Sequence, residues 1–409
     1  MKVLHDMILT SIIRFWFFGL FSWVLLGVGI YVSHKWYQRA WSYDFNLQCS
    51  YFDPHIGNNY ETFLLAVAVG LLLWALAGGV IVRGILSLFT QTKGSAGRDA
   101  LPKRSRQGAR ERRLSRPDGS ELRIECYGRE DATPIILTHG WGANSTEWDY
   151  LKKELAGDFQ LIVWDLPGLG RSTRPTNRDY SMENLSRDLE AVLGLTSDRP
   201  AILLGHSIGG MITLTFCRLF PEALRARVRA IALVQTTYTN PVRTTKMASL
   251  FTALERPVIV PLLHLTIWLS PLVWLSNWMS YLNGSAFLFT KGSGFAGTET
   301  WEALNFVTRF QLQASPAVLA RGMFGMLRYD ASAALKAINV PALVLAGDRD
   351  PVCTPEASER MQRDLPGAQM AQLAPAKHMG LIEHHAHFAK IVSQFSASCL
   401  QPNSPHSQS

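Results

Sequence analysis

The chain has 409 residues, 47% apolar and only 18% charged, a composition that excludes an intrinsically disordered protein and a small disulfide-stapled one. A slightly positive mean hydropathy of +0.06 directs attention to membrane segments, and the five cysteines (Cys49, Cys126, Cys217, Cys353, Cys399) show no short paired spacing that would signal a zinc knuckle or a disulfide framework. The formal net charge of +8 is local: between Arg83 and Arg116 ten Lys and Arg accompany two acids, and the rest of the chain is formally neutral. That run lacks the interleaved aromatic residues on which bases stack, which argues against nucleic acid as a partner.

Taken in chain order, the first predicted element is an apolar hairpin. Phe15 to Val32 is an uncharged stretch of 18 residues and Thr62 to Val82 one of 21; at about 1.5 Å per residue each can cross a hydrocarbon core of about 30 Å. A cleaved signal peptide fits the first poorly, because the stretch is too long and Gly27 to Ser33 offers no convincing small-x-small cleavage site. The basic run after Val82 predicts that this end stays on the cytoplasmic side. Both termini and everything beyond residue 92 are then expected in the cytoplasm, with the loop of residues 33–61 outside. Residues 93–116 read as a basic linker beside the membrane, with Gly94, Ser95, Ala96 and Gly97 as a flexible joint, and 401–409 as a disordered tail.

From residue 117 to 400 the pattern changes to alternating strands and helices. Pro117-Asp118-Gly119 predicts a turn between two antiparallel strands. Short apolar runs at 134–138, 159–164, 201–205, 230–234 and 342–345 suit buried parallel strands, with a further strand near 368–373. Ser181 is a plausible N-cap for a helix to about Leu195, and Pro221 is expected to stop the helix that begins beside Ser207.

The chemistry is concentrated at Gly205-His206-Ser207-Ile208-Gly209, a G-x-S-x-G pattern between a predicted strand and a predicted helix. A turn that tight presents the serine hydroxyl at the carboxyl edge of the sheet, and glycines on both sides let strand and helix approach. Serine is a weak nucleophile until a base takes its proton, so an imidazole oriented by a carboxylate must follow. Asp348 and Asp350 follow the strand at 342–345, and His378 follows the next one.

In these features the chain resembles the α/β-hydrolase superfamily over nearly all of residues 120 to 400. Thr138-His139-Gly140-Trp141-Gly142 is similar to the family's oxyanion-hole turn, and Asp165-Leu166-Pro167-Gly168-Leu169-Gly170-Arg171-Ser172 to its D-x-P-G-x-G-x-S loop. The resemblance implies an α/β fold, a mostly parallel sheet with helices on both faces and a helical cap, here preceded by the two-helix membrane hairpin. It implies Ser207 as nucleophile, His378 as base, Asp350 rather than Asp348 as the orienting acid, and the main-chain N–H groups of Trp141 and Ile208 as the oxyanion hole. No cofactor or metal is needed; His384, His385 and His387 read as a solvated helix face. A serine at this position points to acyl transfer from esters, thioesters or lactones. Acyltransferase, thioesterase or haloperoxidase-like activity, and a non-catalytic receptor for a hydrophobic ligand, stand as alternatives.

The cap is expected at about 240–335. From Pro257 to Thr290 it holds 34 residues without Asp, Glu, Lys or Arg. A single membrane crossing there conflicts with the return of the chain to the same sheet, and Pro261 and Pro271 are expected to interrupt a continuous span. The stretch either packs inward on the catalytic domain or dips into the membrane interface. Trp268, Trp274 and Trp278 are the expected substrate-binding residues, and the expected partners are a membrane and a lipophilic ester.

Overall fold

The structure is a computed structural model and describes residues 10–54, 59–89, 109–196 and 199–400. Helix α1 (Thr10–Arg39) and helix α2 (Asn59–Phe89) are joined through a short antiparallel ribbon, β1 (Trp41–Asp44) with β2 (Cys49–Phe52). Stretches 16–39 and 59–88 of these helices are long and apolar enough to cross a membrane. Both helices outrun the uncharged stretches, because Ser33 to Arg39 and Arg83 to Phe89 carry no proline to stop them. Most of the expected linker, including Gly94 to Gly97, and the expected tail at 401–409 lie outside the described residues.

An eight-stranded sheet follows. Strands β3 (Arg110–Ser115) and β4 (Glu121–Tyr127) form the antiparallel pair around the Asp118-Gly119 turn. The linker boundary at residue 116 therefore needs correction: Arg110, Arg112 and Arg113 belong to the sheet's edge strand, where outward charge discourages pairing with another edge. Next come β5 (Pro134–Thr138), helix α3 (Asp149–Leu155), β6 (Gln160–Trp164), α4 (Met182–Leu193), β7 (Ala201–His206), α5 (Ile208–Leu219), α6 (Pro221–Arg227) and β8 (Val228–Val234). Ser181 caps α4 by accepting from Asn184 N at 3.2 Å, and α5 stops before Pro221, which opens α6. The cap runs through α7 (Ala248–Leu254), α8 (Val260–Trp268), α9 (Ser270–Leu282), α10 (Ser285–Gly294), α11 (Trp301–Gln313) and α12 (Pro316–Leu327). The chain then closes with β9 (Ala342–Gly347), α13 (Pro355–Asp364), β10 (Gln369–Leu373), α14 (Gly380–Glu383) and α15 (His385–Ser398).

The strand order is β10-β9-β8-β7-β5-β6-β4-β3, parallel from β10 through β6 and antiparallel at β4 and β3. The central strands are buried on both faces, which is why they read as continuous apolar runs rather than alternating ones. Ile136, Ile162 and Leu203 face α4 and α5, whereas Leu137, Val163 and Leu204 face α3 and α15. Each such side chain, fully buried, contributes roughly 1.5–3 kcal/mol of transfer free energy.

Pro261 does not interrupt the cap's first helical stretch. Residues Ala248–Trp268 run on through a π-helical turn at Glu255–Ile259 that holds Pro257. The wider turn takes the missing N–H out of the regular ladder. Pro271 sits in the first turn of α9, where its missing N–H costs nothing. This 21-residue stretch is also apolar and long enough to cross a membrane, yet it lies between the neighbouring parallel strands β8 and β9.

Candidate active site

Strand β7 delivers Ser207 directly into α5. The serine has φ 53° and ψ −119°, a strained conformation for a residue with a side chain, costing on the order of 1–3 kcal/mol. It is held there by Ser207 N donating to Val234 O at 3.0 Å and by the Thr236 hydroxyl donating to the Ser207 carbonyl. A Cβ on Gly205 would lie 2.3 Å from the Gly209 carbonyl group, and one on Gly209 would lie 2.2 Å from Thr138 O. The two glycines thus let the first turn of α5 rest on the end of β5, where the Gly140-Trp141 loop begins.

The sheet's carboxyl edge brings three distant segments together. His378 Nε2 lies 3.1 Å from Ser207 Oγ, and His378 Nδ1 lies 2.8 Å from Asp350 Oδ2. Asp350, 2% exposed, accepts on Oδ1 from the main-chain N–H groups of Val352 (2.8 Å) and Cys353 (3.1 Å). Asp348 is turned away: its Oδ1 accepts from Ala376 N at 2.7 Å and so pins the loop that carries His378. Trp141 and Ser207 line the same cavity, and Ile208 opens α5, where the unsatisfied N–H groups of a helix start create positive potential. The Trp141 indole donates to Leu319 O at 3.0 Å, which fixes that loop against the cap.

Three buried groups around this relay were not anticipated as site residues. Gln235, with φ 45°, donates from its amide to both the Lys377 carbonyl and Asp350 Oδ2. His206 Nδ1 sits 3.0 Å from Glu147 Oε1, while the other Glu147 oxygen accepts from Gly140 N at 2.8 Å and His206 Nε2 reaches His378 O at 3.2 Å. Burial opposes a charge on His206, but the Glu147 carboxylate outweighs it and raises the imidazole's pKa; burial likewise opposes ionisation of Glu147, and His206 overcomes it and lowers the carboxyl's pKa. The pair ties the Gly140-Trp141 loop to the backbone of His378. His206 could have been noticed as the residue before Ser207; Glu147 carries no sequence signal of its own. His139 is different: its Nε2 accepts from Leu166 N at 3.0 Å, so it is neutral, and burial lowers its pKa.

Above Ser207 lies a cavity of about 240 Å³. The relay forms one wall, and the cap supplies an apolar wall that includes Phe289 of α10, Val307 and Phe310 of α11, and Met323 and Met326 of α12. The expected tryptophans do not line it. Trp268 is 77% exposed, Trp274 is 44% exposed with its indole bonded to Leu312 O, and Trp278 packs between Trp274 and Tyr281. Helical phase explains the correction: Val273, Ser276 and Ser280 form the buried face of α9, which leaves positions 274 and 278 on another side. Of the three histidines expected on a solvated helix face, His384 bonds to Pro375 O and His385 stacks on Tyr150.

A strand-turn-helix serine on a mostly parallel sheet, with a cap between β8 and β9, defines an α/β hydrolase. The family model described as "alpha/beta hydrolase fold" matches residues 133–385, and the chain belongs to that family. A pimeloyl-[acyl-carrier protein] methyl ester esterase of Neisseria meningitidis is 24% identical over 263 residues, covering 64% of this chain and 92% of that protein. Among solved structures, a thermophilic esterase from Thermogutta terrifontis matches with TM-score 0.58 and 24% identity over 72% of this chain and all of that one. A membrane phospholipase A, described as a bacterial virulence factor, matches with TM-score 0.57 and 21% identity over 83% of this chain and 97% of that one.

Proposed function

We propose that the chain is a membrane-anchored serine hydrolase that cleaves carboxylic esters of lipophilic, acyl-lipid substrates through an acyl-enzyme on Ser207. The observation that carries this reading is the Ser207–His378–Asp350 relay, with contacts of 3.1 and 2.8 Å, at the foot of a cavity walled by apolar side chains. Ser207 Oγ attacks the ester carbonyl carbon as its proton passes to His378 Nε2, and buried Asp350 stabilises the imidazolium through Nδ1. The oxyanion is received by the N–H groups of Trp141 and Ile208, each such donor being worth roughly 2.7–4 kcal/mol of barrier. His378 then protonates the departing alcohol, and water admitted to the same base releases the acid and restores Ser207. The cap's apolar wall suits an acyl chain, and esterases and a phospholipase among the relatives agree with ester chemistry.

Helices α1 and α2 are read as two transmembrane spans with the catalytic domain in the cytoplasm, following the basic residues after Val82. Exposed Cys49, in the ribbon between them, then reacts with an impermeant thiol reagent on intact cells; protection of Cys49 with labelling of Cys399 reverses the orientation. The activity is tested on detergent-solubilised protein with a fluorophosphonate probe and a panel of lipid esters. Wild type is labelled and active while Ser207→Ala is neither; a folded wild type that binds lipid without labelling makes the protein a receptor.

A further inference from the structure

The hairpin does more than tether. Along α1, Trp16 Nε1 donates to Thr266 Oγ1 of α8 at 3.0 Å, and Trp23 Nε1 donates to Ser276 Oγ of α9 at 2.9 Å. Fully buried Ser22 shares a hydrogen bond with Ser280 Oγ at 3.3 Å and accepts from Asn283 Nδ2 at 2.7 Å. On α2, a Cβ on Gly79 would lie 2.7 Å from Leu282 O, so only glycine permits this approach. Small residues and interhelical side-chain hydrogen bonds are the means by which helices associate inside a bilayer, where burial of apolar surface gives no drive. The cap carries a seam of that kind.

The seam also sets a depth. Phe15–Val32 and Thr62–Val82 are the uncharged stretches, so Ser22 lies about 10 Å along the first, measured from the end nearest the catalytic domain at roughly 1.5 Å per residue. Gly79 lies about 5 Å from the corresponding end of the second on the same measure. The C-terminal end of α9, hydrogen-bonded to α1 and closely packed against α2, is at that level. On the outer surface of the cap helices, Trp268, Leu272, Leu275, Leu282 and Leu288 are 41–77% exposed. Trp268 follows Thr266, whose partner Trp16 marks the start of the span; an exposed indole there suits the membrane interface, and the leucines suit the acyl chains.

The cavity lies beside α1, at the seam itself. Phe289 meets Phe18 of α1 edge-on at 6.4 Å, and Met323 and Leu327, both lining the cavity, pack on the cap's own core together with Trp16. Resting on the reading that α1 and α2 span the membrane, we infer that α8, α9 and α10 are immersed in the leaflet facing the catalytic domain, with their exposed apolar face against its acyl chains. The ester then reaches Ser207 from that leaflet alongside α1 rather than from water.

The test uses full-length Cys49→Ser, Cys399→Ser protein in phosphatidylcholine vesicles, carrying one bimane-labelled cysteine at a time. Leu282→Cys and Leu275→Cys report on the cap, exposed Leu73→Cys in mid-α2 on the bilayer, and exposed Glu359→Cys on water. The expected result is quenching of the two cap positions and of Leu73→Cys by nitroxide on the lipid acyl chains, with aqueous iodide quenching only Glu359→Cys. Iodide quenching at both cap positions, with Leu73→Cys still quenched by lipid, overturns the inference and leaves the spans intact; loss of lipid quenching at Leu73→Cys overturns the spans themselves. For the access route, Phe18→Ala is expected to change kcat/KM for a bilayer-embedded monoacyl ester at least five-fold relative to that for p-nitrophenyl acetate. An unchanged ratio excludes the path beside α1, and loss of Ser207-dependent p-nitrophenyl acetate hydrolysis in the parent protein removes the hydrolase reading instead.

Discussion

The two walls of the cavity are built by different means. On the sheet side, Ser207, His378 and Asp350 sit on three separate strand ends, and each is held by hydrogen bonds: Ser207 to Val234 O, Asp350 to the Val352, Cys353 and Gln235 amides, and the His378 carbonyl to the His206 ring. On the cap side, the Phe289, Phe310 and Met326 side chains offer the cavity an apolar surface, with α9 fastened to the apolar hairpin. Directional bonds fix atoms to within tenths of an ångström, as a proton relay requires. Apolar packing tolerates changes of shape, and methionine especially adapts to what it touches. The contrast assigns reaction rate to one wall and substrate choice to the other.

The sharpest break comes from Ser207→Ala, expected to lower kcat on every ester by a factor on the order of 10⁶, as removal of a triad nucleophile does elsewhere, measured against the uncatalysed rate. Asp350→Asn keeps the shape and spoils the imidazole tautomer, with an expected loss of about 10⁴ in kcat, again independent of acyl chain length. A dependence on chain length in either variant would dissolve the division between the walls.

Glu147→Gln leaves His206 with a half-broken buried pair, at an expected cost of about 3–5 kcal/mol, read by thermal or denaturant unfolding in detergent. The pH profile carries the sign. His206 has a raised pKa, so its contribution is complete below its ordinary 6.5 and is lost as pH rises through the folded value. Glu147 has a lowered pKa, so its contribution is present above its ordinary 4.5 and lost as pH falls through the folded value. The stability gap between wild type and Glu147→Gln is therefore widest between about pH 4.5 and 6.5 and narrows on both sides; a gap that grows with alkalinity contradicts the pairing.

Smaller effects belong to the cap. Phe310→Ala is expected to shift the preference between short and long acyl chains by roughly 10–200-fold, the range of 1–3 kcal/mol available to apolar contacts, while p-nitrophenyl acetate hydrolysis changes far less. Trp268→Ala, outside the cavity, should leave hydrolysis of that soluble ester within about two-fold.

What could be read in the chain follows the same division. Gly205 to Gly209, the loop after Thr138 and the carboxylates and imidazole after later strands are local patterns, and all three of Ser207, Asp350 and His378 meet in space. The resemblance drew Asp350 over Asp348, and the reason became visible only with the Asp348–Ala376 bond. Trp268, Trp274 and Trp278 were misplaced because hydropathy registers how apolar a stretch is and not which face turns inward. Glu147 and Gln235 are ordinary polar residues in sequence, distinguished only by a tertiary fold that buries them beside charge. The docking of α9 on α1 joins residues about 250 positions apart, as for Trp23 and Ser276, and no short-range pattern announces it.

Because β3 opens the catalytic domain at one edge of the sheet and the cap leaves it between β8 and β9, the hairpin grips the domain at two well-separated points, one covalent and one through side chains. The attitude of the sheet toward the apolar hairpin is a property of the fold, set where α1 and α9 meet.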